Sequence, residues 1–190
     1  MEETNPVYTP APGMDALDAL TGVFHLGYLE EKLPEAIRNC RRQKQPLSLI
    51  YADIDRFTQI NERCGRVAGD LVLQHVAQIL RKRTARPESW VARDQADAFV
   101  ICLPGMKNSV ARRLATSLRV AVMGERLPLE GCEITTTCSF IVRSVACEEE
   151  PSSAQALLLQ TREQAALAKK SGGNMALSSS YTQSQSLSRY

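Results

Sequence analysis

The chain has 190 residues, 44% of them hydrophobic, which suits one domain with modest extensions and an ordinary buried core. Basic residues number 23 and acidic ones 21, and the net charge of +2 is too balanced to single out nucleic acid or an anionic membrane as a partner. No apolar run approaches a membrane span and the N-terminus does not read as a signal peptide; six cysteines without a CxxC pair, beside only two histidines, argue against zinc and for reduced thiols in a cytoplasmic protein.

Residues 1–14, rich in proline and without periodicity, read as a flexible leader to a domain spanning 15–177. The segment 15–22 opens that domain, and His25 after it reads as an ordinary loop residue. Leu29, Leu33, Ile37 and Cys40 recur at helical spacing, so 28–42 is an expected amphipathic helix, kinked or restarted at Pro34. The basic cluster of Arg38, Arg41, Arg42 and Lys44 is its solvated end, favoured by the helix dipole. The apolar run Leu47–Ile54 is the expected central strand. A short helical pattern and a turn over 65–69 lead into a helix over 71–82, with Val72, Val76, Ile79 and Leu80 on one face and His75 packing at its edge. Segments 89–94 and 98–103 read as a hairpin closed off by Pro104-Gly105. Val110, Leu114, Leu118 and Val122 mark another helix, with Arg112, Arg113 and Arg119 on its solvated faces. Residues 133–147 read as one strand and Ala154–Lys170 as the last helix, stopped by Gly172-Gly173. The Ser/Gln-rich residues 178–190 read as a disordered tail.

Chemistry concentrates in YADIDRFTQINERCGRVAGD, residues 51–70. Open α/β sheets place chemistry where an apolar strand ends in acid, turn and helix. Asp53 has no routine structural task there, and a carboxylate suits a hard divalent cation. Asp55 fits best as the N-cap of the helix starting at Arg56. Asn61 and Asp70 offer an amide and a carboxylate to a purine edge, although Asp70 also suits a helix N-terminus without any ligand.

This stretch resembles the GGDEF family, the diguanylate cyclase domains of bacterial signalling. The family pattern D-x-D-x-F-K-x-x-N-D followed by G-H-x-x-G-D is matched without a gap by the run from Asp53 to Glu62 and then Gly65 to Asp70. Asp18-Ala19-Leu20-Thr21-Gly22 resembles the family's D-x-L-T-G, and the likeness runs to Asn174. It implies an α/β fold, a mixed central sheet of about five strands flanked by helices. It also implies metal ligands at Asp53, the carbonyl of Ile54 and Asp97, guanine contacts at Asn61 and Asp70, and phosphate contacts at Phe57 and Lys169. Mg²⁺ or Mn²⁺ is the implied metal wherever nucleotide is bound.

The family signature G-G-D/E-E-F reads Gln95-Ala96-Asp97-Ala98-Phe99 here. Asp97 and Phe99 are kept, and both glycines and the second acid are lost. Glycine permits close backbone approach and positive φ, and Gln95 and Ala96 put side chains into that space. The family lysine after D-x-D-x-F is Thr58. In K-x-x-G-R-N the lysine is Lys169 and the arginine is Gly173, which offers no planar fork to phosphate. The S-x-G motif has become Ser139-Phe140-Ile141. The product-inhibition motif R-x-x-D reads Arg86 to Ser89, without its acid.

The expected function is therefore a catalytically degenerate GGDEF domain, a regulatory or interaction module of cyclic di-GMP signalling with GTP as candidate ligand and a protein partner or a second copy as candidate partner. The alternative is an active diguanylate cyclase that condenses two GTP despite the atypical signature. A third reading is a scaffold that binds no nucleotide.

Overall fold

The computed structural model describes residues 14–129, 132–145 and 153–180. In chain order these form a short 3-10 turn (Met14–Ala16), α1 (Leu26–Arg42), β1 (Leu47–Ile54), α2 (Phe57–Cys64), α3 (Arg66–Arg83), β2 (Trp90–Gln95), β3 (Ala98–Pro104), α4 (Asn108–Met123), β4 (Arg126–Leu129), β5 (Cys132–Thr135), β6 (Cys138–Val145), α5 (Ala154–Lys170) and β7 (Ala176–Ser180). A five-stranded sheet has the order β2-β3-β1-β6-β7, and β4 with β5 makes a separate hairpin. All pairings of the main sheet are antiparallel except β6 with β7. The sheet is thus mixed, as expected.

β1 lies between β3 and β6, and all eight of its residues are buried. A strand covered on both faces reads as a near-continuous apolar run, interrupted here only by Ser48 and Asp53, which is why its sequence shows no alternation. Its even-numbered side chains Ile50, Ala52 and Ile54 join Phe99, Ile101 and Phe140 in a core packed with Val72 and Val76 of α3 and Leu118 and Val122 of α4. The odd-numbered Leu47, Leu49 and Tyr51 join Val100 and Ile141 on the other face, against Leu29 and Leu33 of α1 and Leu157 and Leu158 of α5. Phe99 and Phe140 are fully buried, and truncating either to alanine costs on the order of 3–5 kcal/mol.

Several elements differ from the sequence reading. α1 starts two residues early because His25 is its N-cap, its Nδ1 accepting from the Tyr28 amide at 3.1 Å, rather than a plain loop residue. Pro34 lies inside a single continuous helix instead of dividing it. The apolar face carrying Leu29, Leu33 and Cys40 is buried on both sides of the proline, and that packing outweighs one missing backbone donor. α3 begins at Arg66, so most of the expected turn over 65–69 is its first helical turn, and Gly65 at φ 85° closes α2 and opens α3.

The expected strand over 133–147 is two strands. β5 pairs with β4, the chain breaks at Thr136-Thr137, and β6 enters the central sheet; positions 146 and 147 lie outside the described residues. The last three residues of β7, Ser178–Ser180, were expected to open a disordered tail. Its serines form a parallel ladder with β6 from Ala176 to Ser180, three residues past the expected boundary at 177, because β6 supplies the partner that composition cannot show. The leader through residue 13 and the tail from 181 lie outside the described residues. Cys40, Cys102 and Cys138 are free and buried, whereas Cys64 is disulfide-bonded, a correction to the expectation of reduced thiols throughout. Sequence spacing does not reveal which thiols meet in space. No helix among the described residues is long and apolar enough to cross a membrane.

Candidate functional site

Asp53 is the seventh residue of β1, opposite Ala98 on one side and Ser139 on the other. It shares the odd-numbered face of β1 that packs against α5. There Lys169, on the last turn of α5, places its Nζ 2.6 Å from Asp53 Oδ1 and 3.1 Å from Asp97 Oδ2. The approach to Asp53 is a close ion pair, and Lys169 is the cation that this buried oxygen faces. Asp97 sits in the connection between β2 and β3, and its carbonyl accepts from the Ile54 amide at 3.1 Å. The end of β1 and the hairpin turn are therefore tied together, which brings the two acids named from the sequence onto one ammonium group.

Burial pushes the Asp53 carboxyl up to about 6; Lys169 pulls it back, while Asp97 and Asp55 add to the rise. For Lys169 burial acts downward, yet its two carboxylates outweigh it and hold the ammonium above its ordinary value. The two partners respond differently for a simple reason. Lys169 answers to two acids, whereas Asp53 answers to one cation and to two further acids.

Asp55 is not the N-cap of α2. Arg56 holds that position with φ 55° and ψ 31° and gives no side-chain cap. The Asp55 carboxylate turns instead toward β6 and the α5–β7 loop. It accepts from Thr137 Oγ1 at 2.7 Å, Ser139 Oγ at 2.7 Å and the Asn174 amide at 2.8 Å. A buried carboxylate needs several donors, and these supply them. Asn174 Oδ1 also accepts from Arg119 at 3.1 Å, so Arg119 is not merely a solvated surface residue. A cleft of about 410 Å³ opens beside Asp55, lined by Arg56, Gln59, Arg63 and Thr135 to Thr137, and it includes none of Asp53, Asp97 or Lys169.

At the signature turn Gln95 and Ala96 are exposed. Arg93 holds the turn from below: its Nη2 donates to the Ala96 carbonyl at 2.8 Å and its Nη1 lies 3.2 Å from Asp18 Oδ1. Asp18 in turn accepts from the Thr21 amide at 3.0 Å and from Thr21 Oγ1 at 2.6 Å. The D-x-L-T-G segment is thus a brace for the hairpin. Ala98 and Phe99 are buried, 2% and 0% exposed, the first toward α1 and α5 and the second toward α3 and α4. Next to the turn, Asp94 accepts from Tyr51 Oη and from Arg162 Nε, each at 2.9 Å, and from Arg162 Nη2. This buried cluster was not read from the sequence. Residues 94 and 162 lie far apart along the chain, and no spacing rule connects them.

Asn61 of α2 is half-buried against α3, and Phe57 on the same helix packs against the core. A Cβ on Gly69 would collide with Asn61 Oδ1, so the Asn61 amide lies against α3 here only because residue 69 has no side chain. Asp70 follows it and is exposed on α3. Arg86 and Ser89 form a turn, the Ser89 amide donating to the Arg86 carbonyl at 3.2 Å.

Two carboxylates from the end of β1 and the β2–β3 turn, converging on one cationic group, are an oxygen donor set that fits a hard divalent cation such as Mg²⁺. Residues 15–175 match the family described as diguanylate cyclase, GGDEF domain, and the chain belongs to that family. It is 35% identical over 122 residues to diguanylate cyclase DgcP of Pseudomonas aeruginosa, a match covering 64% of this chain and 18% of DgcP. Diguanylate cyclase TpbB of the same species is 28% identical over 149 residues, which is 78% of this chain and 33% of TpbB. The chain therefore spans only a third or less of these curated relatives. The solved GGDEF domain of DgcB from Caulobacter crescentus, in complex with c-di-GMP, has a TM-score of 0.79 at 21% identity and covers 90% of this chain and 96% of its own. That likeness shows the fold.

Proposed function

We propose that this chain is a catalytically degenerate GGDEF domain, a cytoplasmic module of cyclic di-GMP signalling that binds GTP and regulates or recruits a partner instead of making cyclic di-GMP. The observation that carries this reading is the turn Gln95-Ala96-Asp97-Ala98-Phe99. Two side chains stand where close approach to a nucleotide needs none, and the methyl of Ala98, 2% exposed, lies in an apolar core where the family has an acid.

Cyclase chemistry would require two such domains, each presenting one GTP, with each 3′-hydroxyl attacking the other's α-phosphate in line. A divalent cation at Asp53, the Ile54 carbonyl and Asp97 would neutralise phosphate charge. Lys169 would hold a phosphate by point charge, Phe57 would sit at the phosphates at the start of α2, and Asn61 and Asp70 would read the guanine edge. Binding survives a partial set of such groups at reduced affinity. Turnover does not, because small misplacements of reacting groups are costly.

A second reading, an active cyclase, rests on the retained pair Asp53 and Asp97 and on the diguanylate cyclases among the relatives. One experiment separates the two: incubation of concentrated protein with GTP and Mg²⁺ or Mn²⁺, followed by chromatography, beside a calorimetric GTP titration. GTP binding with no cyclic di-GMP above a protein-free blank is the expected result. Steady product formation would overturn the proposal in favour of the second reading, and absence of binding would leave a scaffold.

A further inference from the structure

The Lys169 ammonium stands between the two acids at 2.6 Å and 3.1 Å, the position a cation bridging them would take. We infer that Lys169 is an internal counter-ion that competes with the divalent metal at Asp53 and Asp97, so that metal enters only when a phosphate-bearing ligand draws the lysine away. This rests on the proposed reading of Asp53 and Asp97 as metal ligands and adds a condition on when they bind.

Three observations support it. An ammonium group and a metal ion cannot occupy the same space between two oxygens, and the cation already there removes one of the two negative charges that would attract a metal. Lys169 is next to the last residue of α5, where the helix dipole favours a cation, and two turns earlier Arg162 anchors the helix to Asp94 of β2, which fixes where the lysine stem begins. The Lys169 side chain is nonetheless 32% exposed on a flexible four-carbon stem, so its head can leave the acids without any movement of α5. A triphosphate offers that head another anion, and departure uncovers two carboxylates. Metal and nucleotide thereby bind as a coupled pair, and Lys169 keeps both carboxylates paired until they do.

The test is Mn²⁺ binding without nucleotide, read by the loss of the free-ion electron paramagnetic resonance signal, in the parent, Lys169→Gln, Lys169→Arg and Asp97→Asn/Lys169→Gln. Removal of the charge in Lys169→Gln is expected to tighten Mn²⁺ binding about ten-fold or more, a coupling of ordinary size between two competing ligands. Lys169→Arg keeps the charge and should resemble the parent, and the double variant should lose the gain. Circular dichroism confirms that each variant is folded. Equal Mn²⁺ affinity in the parent and Lys169→Gln, or equal gains from Gln and Arg, would overturn the inference. So would a Lys169→Gln protein that fails to bind Mn²⁺ at all. In each of those cases a GTP titration of the parent with Mn²⁺ or with excess chelator decides separately about the metal site, because metal-dependent binding preserves it and metal-independent binding removes it.

Discussion

A Cβ on Gly173 would lie 2.6 Å from Asp55 Oδ1, so the Asp55 carboxylate occupies the space that any side chain at 173 requires. Gly173 also has φ +71°, a conformation that disfavours other residues. Restoring the family arginine is therefore not a simple repair. Gly173→Arg should lower stability by about 2 kcal/mol through backbone strain and loss of the Asp55–Asn174 hydrogen bond. Gly173→Ala should carry most of that loss, because the Cβ alone causes the clash. Urea unfolding of both variants checks this. An arginine variant as stable as the parent, with tighter GTP binding, would show that the loop rebuilds around the larger residue.

The cluster of Asp94, Tyr51 and Arg162 makes a second prediction. Asp94 has a fully buried side chain and Arg162 supplies its positive charge. Arg162→Met leaves a buried carboxylate with the Tyr51 hydroxyl alone, at a cost of about 3–5 kcal/mol. Asp94→Leu combined with Arg162→Met removes both charges and should recover more than half of that. A double-mutant cycle in urea gives the coupling directly. Additive losses would mean that the pair does not act as a unit.

The fold was legible because its elements announce themselves locally. The unbroken apolar run of β1, the 3.6-residue pattern of α3 and α5 and the hairpin after Ser89 each depend on near neighbours in sequence. The two acids proposed to hold a metal were legible for the same reason, as a strand end and a turn. What escaped depends on tertiary partners. Asp55 looks like a cap in sequence and is claimed instead by Thr137, Ser139 and Asn174 from two other segments. Likewise, β7 is a serine-rich string until β6 pairs with it, and the close fit of Asn61 on Gly69 appears only when α2 and α3 are placed.

The raised carboxyl of Asp53 predicts a pH effect of definite sign. Its folded value of about 6 lies above the ordinary aspartate value of 3.8, so the native state holds the proton more tightly between those values. Ionised Asp53 therefore weakens the fold above pH 6, and stability is gained as pH falls from about 6 towards 4. The complete shift corresponds to about 3 kcal/mol, and solvent reaching the partly exposed pair reduces this to about 1–2 kcal/mol. Urea unfolding of the parent and Asp53→Asn at pH 7.5 and 4.5 isolates the effect. The stability difference should move by that amount in favour of the parent at the lower pH. A constant difference, or movement the other way, would mean that Lys169 dominates the carboxylate.

Guanine selection is expected to depend on α2 and α3 together. Asp70 is exposed, so Asp70→Ala should change stability by no more than about 0.5 kcal/mol. If its carboxylate reads the guanine edge, the same change should weaken GTP binding by about 1–3 kcal/mol, the cost of leaving a buried polar group without its partner. ATP, with a different edge, should bind weakly to the parent and no more weakly to the variant. Asn61 provides an independent test through Gly69. A methyl at 69 would collide with Asn61 Oδ1, so Gly69→Ala must displace the Asn61 amide or spread the two helices. In either case Gly69→Ala should reproduce the loss of GTP-over-ATP preference seen in Asn61→Ala, although residue 69 itself offers guanine nothing. Calorimetry with both nucleotides on the three variants measures the preference. Equal GTP and ATP affinity in the parent would remove Asn61 and Asp70 from the binding site, and a preference that survives Asp70→Ala or Asn61→Ala would remove that residue and leave its position as a matter of helix packing alone.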